Sequence, residues 1–342
     1  MPNRSALIAT LVTVTQRVLR SRVVRYGFVL VAIALGAWAL ADEWHGVHLA
    51  LVRIGLLTAA GAMLCVLGAM AGTMQSWRVL LAALGSPLPA KVAARILFFG
   101  QLGKYLPGSI WPVLAQMELG STYQVPRRRS ASASVLSMVV SVLSAFLAAL
   151  VTLPFVAGGK HTPYLWAFLA VPVMLACLYP KVLNYGLNRL FKLARRPPLE
   201  HPLAGRDILA SIAWSMVSWA CYGLQLWLFV IRLGGSPGTG LVLSIGTFAF
   251  AWGIGFLAVF APAGAGVRDV LVVALLEPVI GTGPATGVAL LSRVLTVIGD
   301  LLAAAVVAAT TRGSLGTSPP SPPDPEQTGP AAGSPVPAAD RR

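Results

Sequence analysis

The chain has 342 residues, of which 56% are hydrophobic and 11% charged, with a formal net charge of +15 at pH 7. Soluble domains carry about a quarter charged residues, so this composition excludes an ordinary globular protein. The basic residues punctuate the gaps between apolar runs instead of gathering on one soluble domain, which argues against a nucleic-acid partner and for loops facing anionic lipid.

Residues 1–25 form a basic segment with Arg4, Arg17, Arg20, Arg22 and Arg25, and the positive-inside rule places it in the cytoplasm. An apolar run follows from Tyr26 to Ala41. Ala39-Leu40-Ala41 before Asp42 imitates a signal-peptidase site, but the long basic region and the many later spans favour an uncleaved first span. A second span is expected over Leu49 to Gly72, with Gly55, Gly61, Gly68 and Gly72 suited to close helix packing. Arg78, Lys91 and Arg95 then return the chain to the basic side through the Gly85-Ser86-Pro87-Leu88-Pro89 turn.

Phe98 to Gly120, FFGQLGKYLPGSIWPVLAQMELG, lies among apolar runs yet carries Gln101, Lys104, Gln116 and Glu118, and is interrupted by Gly103, Pro107, Gly108 and Pro112. Each proline removes a backbone donor and Gly108 loosens the chain between them, so a continuous spanning helix is disfavoured. Freed backbone groups in a bilayer must be satisfied by protein or by water in a cavity, so a re-entrant element lining a polar site is expected. The other reading is an interfacial loop. Basic residues on both sides, ending in Arg127-Arg128-Arg129, favour entry and exit from one face.

The third span covers Ala131 to Val156, with serines 134, 137, 141 and 144 on one helix face, either back-bonding to their own helix or lining a site. Gly158 to Pro163 makes an outer loop. A fourth span from Tyr164 to Tyr179 contains Pro172, where a kink is expected. Lys181, Arg189, Lys192, Arg195, Arg196 and Arg206 mark a basic cytoplasmic loop. A fifth span follows over Ile208 to Val230 and a sixth over Leu241 to Phe260. The second interruption is Ala261-Pro262-Ala263-Gly264-Ala265-Gly266-Val267-Arg268-Asp269, then a short apolar segment to Leu276 and Glu277-Pro278; it reads either as re-entrant or as part of a full span. The last span covers Ala285 to Ala309.

The expected fold is therefore all-α: a polytopic helical membrane domain over 26–311 with about seven or eight spans, each needing about twenty apolar residues, and one or two broken segments. Two interruptions, one per half, fit an internal pseudo-repeat. Residues 312–342, rich in Pro, Ser, Gly and Ala, form a tail that cannot bury enough surface to fold. Cys65, Cys177 and Cys221 sit singly inside apolar runs, and His45, His48, His161 and His201 form no metal motif, so no metal or other cofactor is expected.

Ionisable groups at membrane depth are costly and point to function. Lys104, Glu118, Arg268, Asp269, Glu277, Arg293 and Asp300 are the candidates. Arg293 and Asp300, seven apart, share a helix face with Thr296 between them, and suit either a site or a helix-docking charge pair. Arg268-Asp269 follows Gly264-Ala265-Gly266, where backbone N–H groups opening a helix could hold an anion beside a guanidinium; a capped helix start is the alternative. Asp269 is expected to orient Arg268. The proposed substrate-binding set is Lys104, Pro107, Gly108, Gly264, Gly266, Arg268, Asp269, Arg293 and Asp300.

Leu102-Gly103-Lys104-Tyr105-Leu106-Pro107-Gly108-Ser109-Ile110-Trp111-Pro112 and Pro262-Ala263-Gly264-Ala265-Gly266-Val267-Arg268-Asp269 resemble the lysylphosphatidylglycerol synthase transmembrane region, or flippase-like, family. Many members read LPGRxGE at the first motif, where this chain has Ser-Ile-Trp-Pro, and Arg-Glu at the end of the second, where it has Arg268-Asp269. The resemblance implies a multi-pass domain that binds or moves lipids across the cytoplasmic membrane. It also implies a stand-alone membrane domain, since nothing after Thr311 could be the soluble aminoacyl-transferase of the bifunctional members. The expected function is binding and translocation of an anionic phospholipid or lipid-linked headgroup, not enzymatic, with an oligomeric state or a partner membrane enzyme left open. The alternatives are an accessory or scaffold subunit, or a membrane-embedded lipid transferase, which would be expected to carry an acidic DDxxD-like cluster.

Overall fold

The computed structural model describes residues 52, 54–105, 110–152, 170–193, 203–258, 264 and 266–312. The basic N-terminal segment, the first expected span, the outer loop at 158–163, Pro107, Gly108 and the tail from 313 onward lie outside the described residues.

Among the described residues the fold is all-helical. The helices are α1 (Leu56–Ala83), α2 (Ala90–Gln101) running into a 3-10 turn (Leu102–Tyr105), α3 (Trp111–Ser121), α4 (Arg127–Thr152), α5 (Ala170–Cys177), α6 (Pro180–Leu193), α7 (Gly205–Arg232), α8 (Pro237–Leu257), α9 (Val267–Ile280) and α10 (Thr282–Arg312). Five of them, α1, α4, α7, α8 and α10, are long and apolar enough to cross a membrane. The protein is a multi-pass membrane protein.

Small residues set the bundle. α1 and α7 run antiparallel, with Gly61 against Leu228, Gly68 against Cys221 and Gly72 against the backbone of Trp214 and Ser218. Hydroxyls close the same seam: Ser76 lies 2.8 Å from Ser211 and 3.1 Å from Ser215, and Thr73 lies 2.9 Å from Ser218. In a bilayer such close backbone approach and interhelical hydrogen bonding replace hydrophobic driving force. Gly223 makes the tightest crossing, since a Cβ there would stand 2.5 Å from the Ile245 Cα on α8. Gly223→Ala should therefore cost about 1–3 kcal/mol or more by overpacking, read as a lowered melting temperature in detergent.

Several expected boundaries move. The second span runs on to Ala83, past Arg78, because that guanidinium is satisfied locally by the Leu88 carbonyl at 2.9 Å and Gln75 Oε1 at 2.9 Å. The basic loop contains a helix, α6, in which Leu183, Leu187 and Leu190 recur at helical spacing. Asn184 fastens that helix to the start of the next element, exchanging 3.0 and 2.9 Å hydrogen bonds with the backbone of Leu203. Pro172 falls in the first turn of α5, a position a proline tolerates.

The central stretch is a helical hairpin. α2 has 12 residues and α3 has 11, so each is about 17–18 Å long, well short of the roughly 30 Å hydrocarbon core. They run antiparallel: Gly100 packs against Gln116, and Gly103 so tightly against Trp111 and Pro112 that a Cβ would come within 2.8 Å of the Pro112 nitrogen. Pro112 sits in the first turn of α3, where it costs no hydrogen bond. Gln116 and Ser130 tie α3 to α4, with the Ser130 hydroxyl donating to the Gln116 carbonyl at 3.0 Å and Ser134 bonded to Gln116 Oε1.

The second interruption is also a half-length return. α9 has 14 residues, about 21 Å, and ends at Gly281, whose φ of 83° turns the chain into α10. α9 and the first part of α10 are antiparallel, as the contacts Asp269–Arg293, Arg268–Ser292 and Glu277–Thr282 require. Leu102 meets Ala304 while Tyr105 meets Asp300, so α10 runs antiparallel to the end of α2 and its C-terminal end points toward the α1–α2 connection. Cysteines placed at Thr122 and Thr310 should label from one side of the membrane with an impermeant thiol reagent, and a cysteine at Ser236 from the other.

Candidate functional site

α10 is the spine on which the two interrupted segments meet. Gly299 packs on Val66 and Met70, near the midpoint of α1, which puts Asp300 near the middle of the bundle. The 3-10 turn Leu102–Tyr105 at the end of α2 reaches this point. Leu102 and Ala304 form a small apolar cluster with Phe99, Tyr105 and Leu301. Beside it, Lys104 Nζ lies 2.6 Å from Asp300 Oδ2, and the Tyr105 hydroxyl donates to the same oxygen at 2.6 Å. The Asp300 side chain keeps 3% of its surface exposed, that of Lys104 29%.

Two turns earlier on α10, Arg293 Nη1 lies 2.6 Å from Asp269 Oδ2. Asp269 also accepts the Gly266 N–H at 3.1 Å, so the backbone donor at the start of α9 is held by the helix's own carboxylate. Gly264 (φ 68°) and Gly266 (φ 81°) are both left-handed, and a Cβ at Gly264 would come within 3.1 Å of the Gly255 Cα on α8. A side chain is thus excluded there by backbone approach as well as by φ.

Arg268 is buried, 8% exposed, and forms no ion pair among the described residues. Its Nη2 donates to Ser292 Oγ at 3.1 Å, and Ser292 Oγ lies 3.3 Å from Gln225 Oε1 on α7. Its guanidinium carbon lies 4.6 Å from the Phe248 ring centroid, and Phe248 stacks on Tyr222 at 4.4 Å. Among the described residues, the buried Arg268 Nε, Gln225 Nε2, Ser244 Oγ and Thr247 Oγ1 have no hydrogen-bond partner. Arg268, Tyr222, Tyr105 and Asp300 are near enough to interact electrostatically, as are Arg268, Asp269 and Arg293. The 3-10 turn after α2 and the start of α9 therefore belong to one polar cluster.

The ion pairs differ from the sequence expectation. Arg293 and Asp300 share the α10 face without pairing to each other, and Asp269 takes Arg293 instead of orienting Arg268. Each pair joins α10 to a different interrupted segment, because the side chains project from α10 toward separate partners. Lys104, Gly264, Gly266, Arg268, Asp269, Arg293 and Asp300 fall in or beside the cluster, while Pro107 and Gly108 lie outside the described residues. Glu118 pairs with Arg127 at 2.9 Å at the hairpin base, and Glu277 accepts from Thr282 at 2.6 Å at the α9–α10 turn, so neither reaches the cluster. Of the α4 serines, Ser134 back-bonds to the Ser130 carbonyl and bonds Gln116 on α3, and Ser144 accepts the Trp219 indole N–H of α7 at 2.9 Å.

Tyr105, Tyr222, Gln225, Phe248 and Ser292 were not among the residues expected from sequence. Gln225, an amide inside an apolar span, carried the one readable signal; the others depend on helix pairing. Among the described residues no group of His, Cys, Asp and Glu could hold a metal ion.

Residues 7–304 match the family model described as the lysylphosphatidylglycerol synthase TM region. Among curated proteins nothing matches the chain.

Proposed function

The chain belongs to the lysylphosphatidylglycerol synthase TM-region family, and from that premise we propose that it binds an anionic phospholipid or lipid-linked headgroup between the 3-10 turn after α2 and the start of α9 and carries it across the cell membrane. It acts as a carrier that makes and breaks no covalent bond. The Lys/Arg bias favours a cytoplasmic N-terminus and entry of the first hairpin from the cytoplasmic face.

Arg268 is the observation that supports this reading. A guanidinium buried near the centre of a membrane domain with no ion-pair partner among the described residues is costly, and its cost is relieved by an anion. The two neighbouring ion pairs fit the same reading, because in each the cation is the more open partner. Lys104 is 29% exposed against 3% for Asp300, and Arg293 is 32% exposed against 17% for Asp269. An arriving phosphate meets donors first, and the guanidinium fork suits its oxygens.

Titration of the purified, delipidated protein with phosphatidylglycerol and with phosphatidylcholine in a neutral detergent tests this directly. The intrinsic fluorescence of Trp219 and Trp252, whose rings stand 4.8 Å apart beside the Tyr222–Phe248 stack, serves as the readout. Saturable binding of phosphatidylglycerol at concentrations where phosphatidylcholine gives no change is expected. Equal affinities for the two lipids would contradict an anion site.

A further inference from the structure

We propose that α6 is a membrane-surface helix whose outward basic face docks on the acidic phospholipid headgroups of one leaflet, at the α1–α2 end of the bundle. This surface is separate from the polar cluster, and the inference does not depend on what the cluster binds.

The sequence of α6 suits a boundary. Its 14 residues extend about 21 Å, too short to cross a hydrocarbon core of roughly 30 Å. It contains no acidic residue and carries Lys181, Arg189 and Lys192. At about 100° per residue, these three cations and Tyr185 share an arc of about 80° on the side opposite Leu183. Leu183 is buried in the apolar core, which turns that arc away from the protein. Lys181, Tyr185, Arg189 and Lys192 are all exposed. None of the three cations has an ion-pair partner among the described residues.

The place of α6 follows from its fastenings. Asn184 bonds the backbone of Leu203, and a Cβ on Gly205 would meet Pro180 Cγ at 3.4 Å. α7 starts at Gly205 and runs antiparallel to α1, so α6 lies at the end of the bundle where α1 turns into α2.

The neighbouring helix decides between a lipid surface and a soluble acidic partner. α5 ends at Cys177, and its Val173 and Leu175 are exposed, as side chains facing lipid tails are. The exposed apolar strip continues through Tyr179 to Val182 in the first turn of α6. The basic face therefore begins where a lipid-facing surface ends. Lysine and arginine at that depth lay their stems along apolar surface while their charges reach phosphates, and tyrosine suits the same boundary. An acidic protein would match the charges alone, whereas an anionic leaflet matches the charges and the apolar strip together.

The test uses the full-length protein with Cys65→Ser, Cys177→Ser and Cys221→Ser, and Tyr185→Cys carrying a fluorophore. It is placed in phosphatidylcholine nanodiscs with and without phosphatidylglycerol. Acrylamide quenching of the label should fall at least about twofold with phosphatidylglycerol at low salt, and about 1 M salt, with a Debye length of about 3 Å, should reverse the change. Each basic residue near an anionic surface strengthens association about fivefold. Lys181→Gln, Arg189→Gln and Lys192→Gln together should therefore abolish the difference between the nanodiscs while the melting temperature stays unchanged. A label on Ser236→Cys, at the opposite end of the bundle, should not respond to phosphatidylglycerol. Equal quenching in both nanodiscs, or a fall that survives in the triple variant, would overturn the proposal. Protection by added polyglutamate but not by phosphatidylglycerol would overturn it in favour of an acidic protein partner.

Discussion

Arg268→Ala should weaken binding of an anionic lipid by about tenfold or more, because a charge-assisted hydrogen bond contributes roughly 1.5–3 kcal/mol. The effect is expected to be selective. Arg268 touches Ser292 and the Phe248 ring, and truncation leaves Ser292 bonded to Gln225 and Phe248 stacked on Tyr222, so the surrounding helices keep their contacts. Arg268→Lys retains the charge and loses the planar fork, and should fall between the two, since a lysine offers a point charge without paired donors. A purely structural arginine behaves differently: both variants would lose melting temperature while the folded fraction bound lipid as before. Isothermal binding and thermal unfolding measured on the same samples separate the two outcomes.

The second large effect concerns the latch between the first hairpin and α10. Asp300→Ala strands Lys104 and removes the acceptor of the Tyr105 hydroxyl at once. Breaking a buried pair by removing one member costs about 3–5 kcal/mol; the 29% exposure of Lys104 lowers this, because the freed ammonium can reach water, and about 2–3 kcal/mol is expected. Lys104→Met alone leaves a carboxylate that is 3% exposed with Tyr105 as its remaining partner among the described residues, and should cost at least as much. Removing both charges should recover much of the loss, giving a coupling energy above about 1 kcal/mol in a double-mutant cycle on thermal unfolding. Additive losses would mean that the pair does not hold the hairpin to α10.

Much of this arrangement is legible in the sequence. Gly103, Pro107, Gly108 and Pro112 within one apolar stretch disfavour a continuous helix, and the basic residues on both flanks favour entry and exit from one face; the antiparallel pair of α2 and α3 agrees with the first of these. The second interruption was legible as a break but not as a return, because Val270 to Leu276 reads equally as half of a span. What decides it is Gly281 at φ 83°, which ends α9 about 21 Å after it began. The ion-pair partners were not legible. A seven-residue spacing puts Arg293 and Asp300 on one helix face, but their partners, Asp269 and Lys104, come from segments whose approach to α10 depends on the glycine seams of the whole bundle. Gly299 against Val66 and Gly255 against Gly264 are such seams, and a small residue does not announce its partner. The same holds for α6, whose leucines at helical spacing were hidden by the density of lysine and arginine around them.

Translocation itself is tested most directly in reconstituted vesicles carrying phosphatidylglycerol labelled on its acyl chain with a reducible fluorophore, quenched from outside with dithionite. Vesicles holding the unaltered protein should lose nearly all fluorescence, whereas protein-free vesicles and those with Arg268→Ala should keep the inner-leaflet half. A protected half that persists with the unaltered protein, or that is lost equally with folded Arg268→Ala, would contradict a carrier built on the meeting of the two interrupted segments.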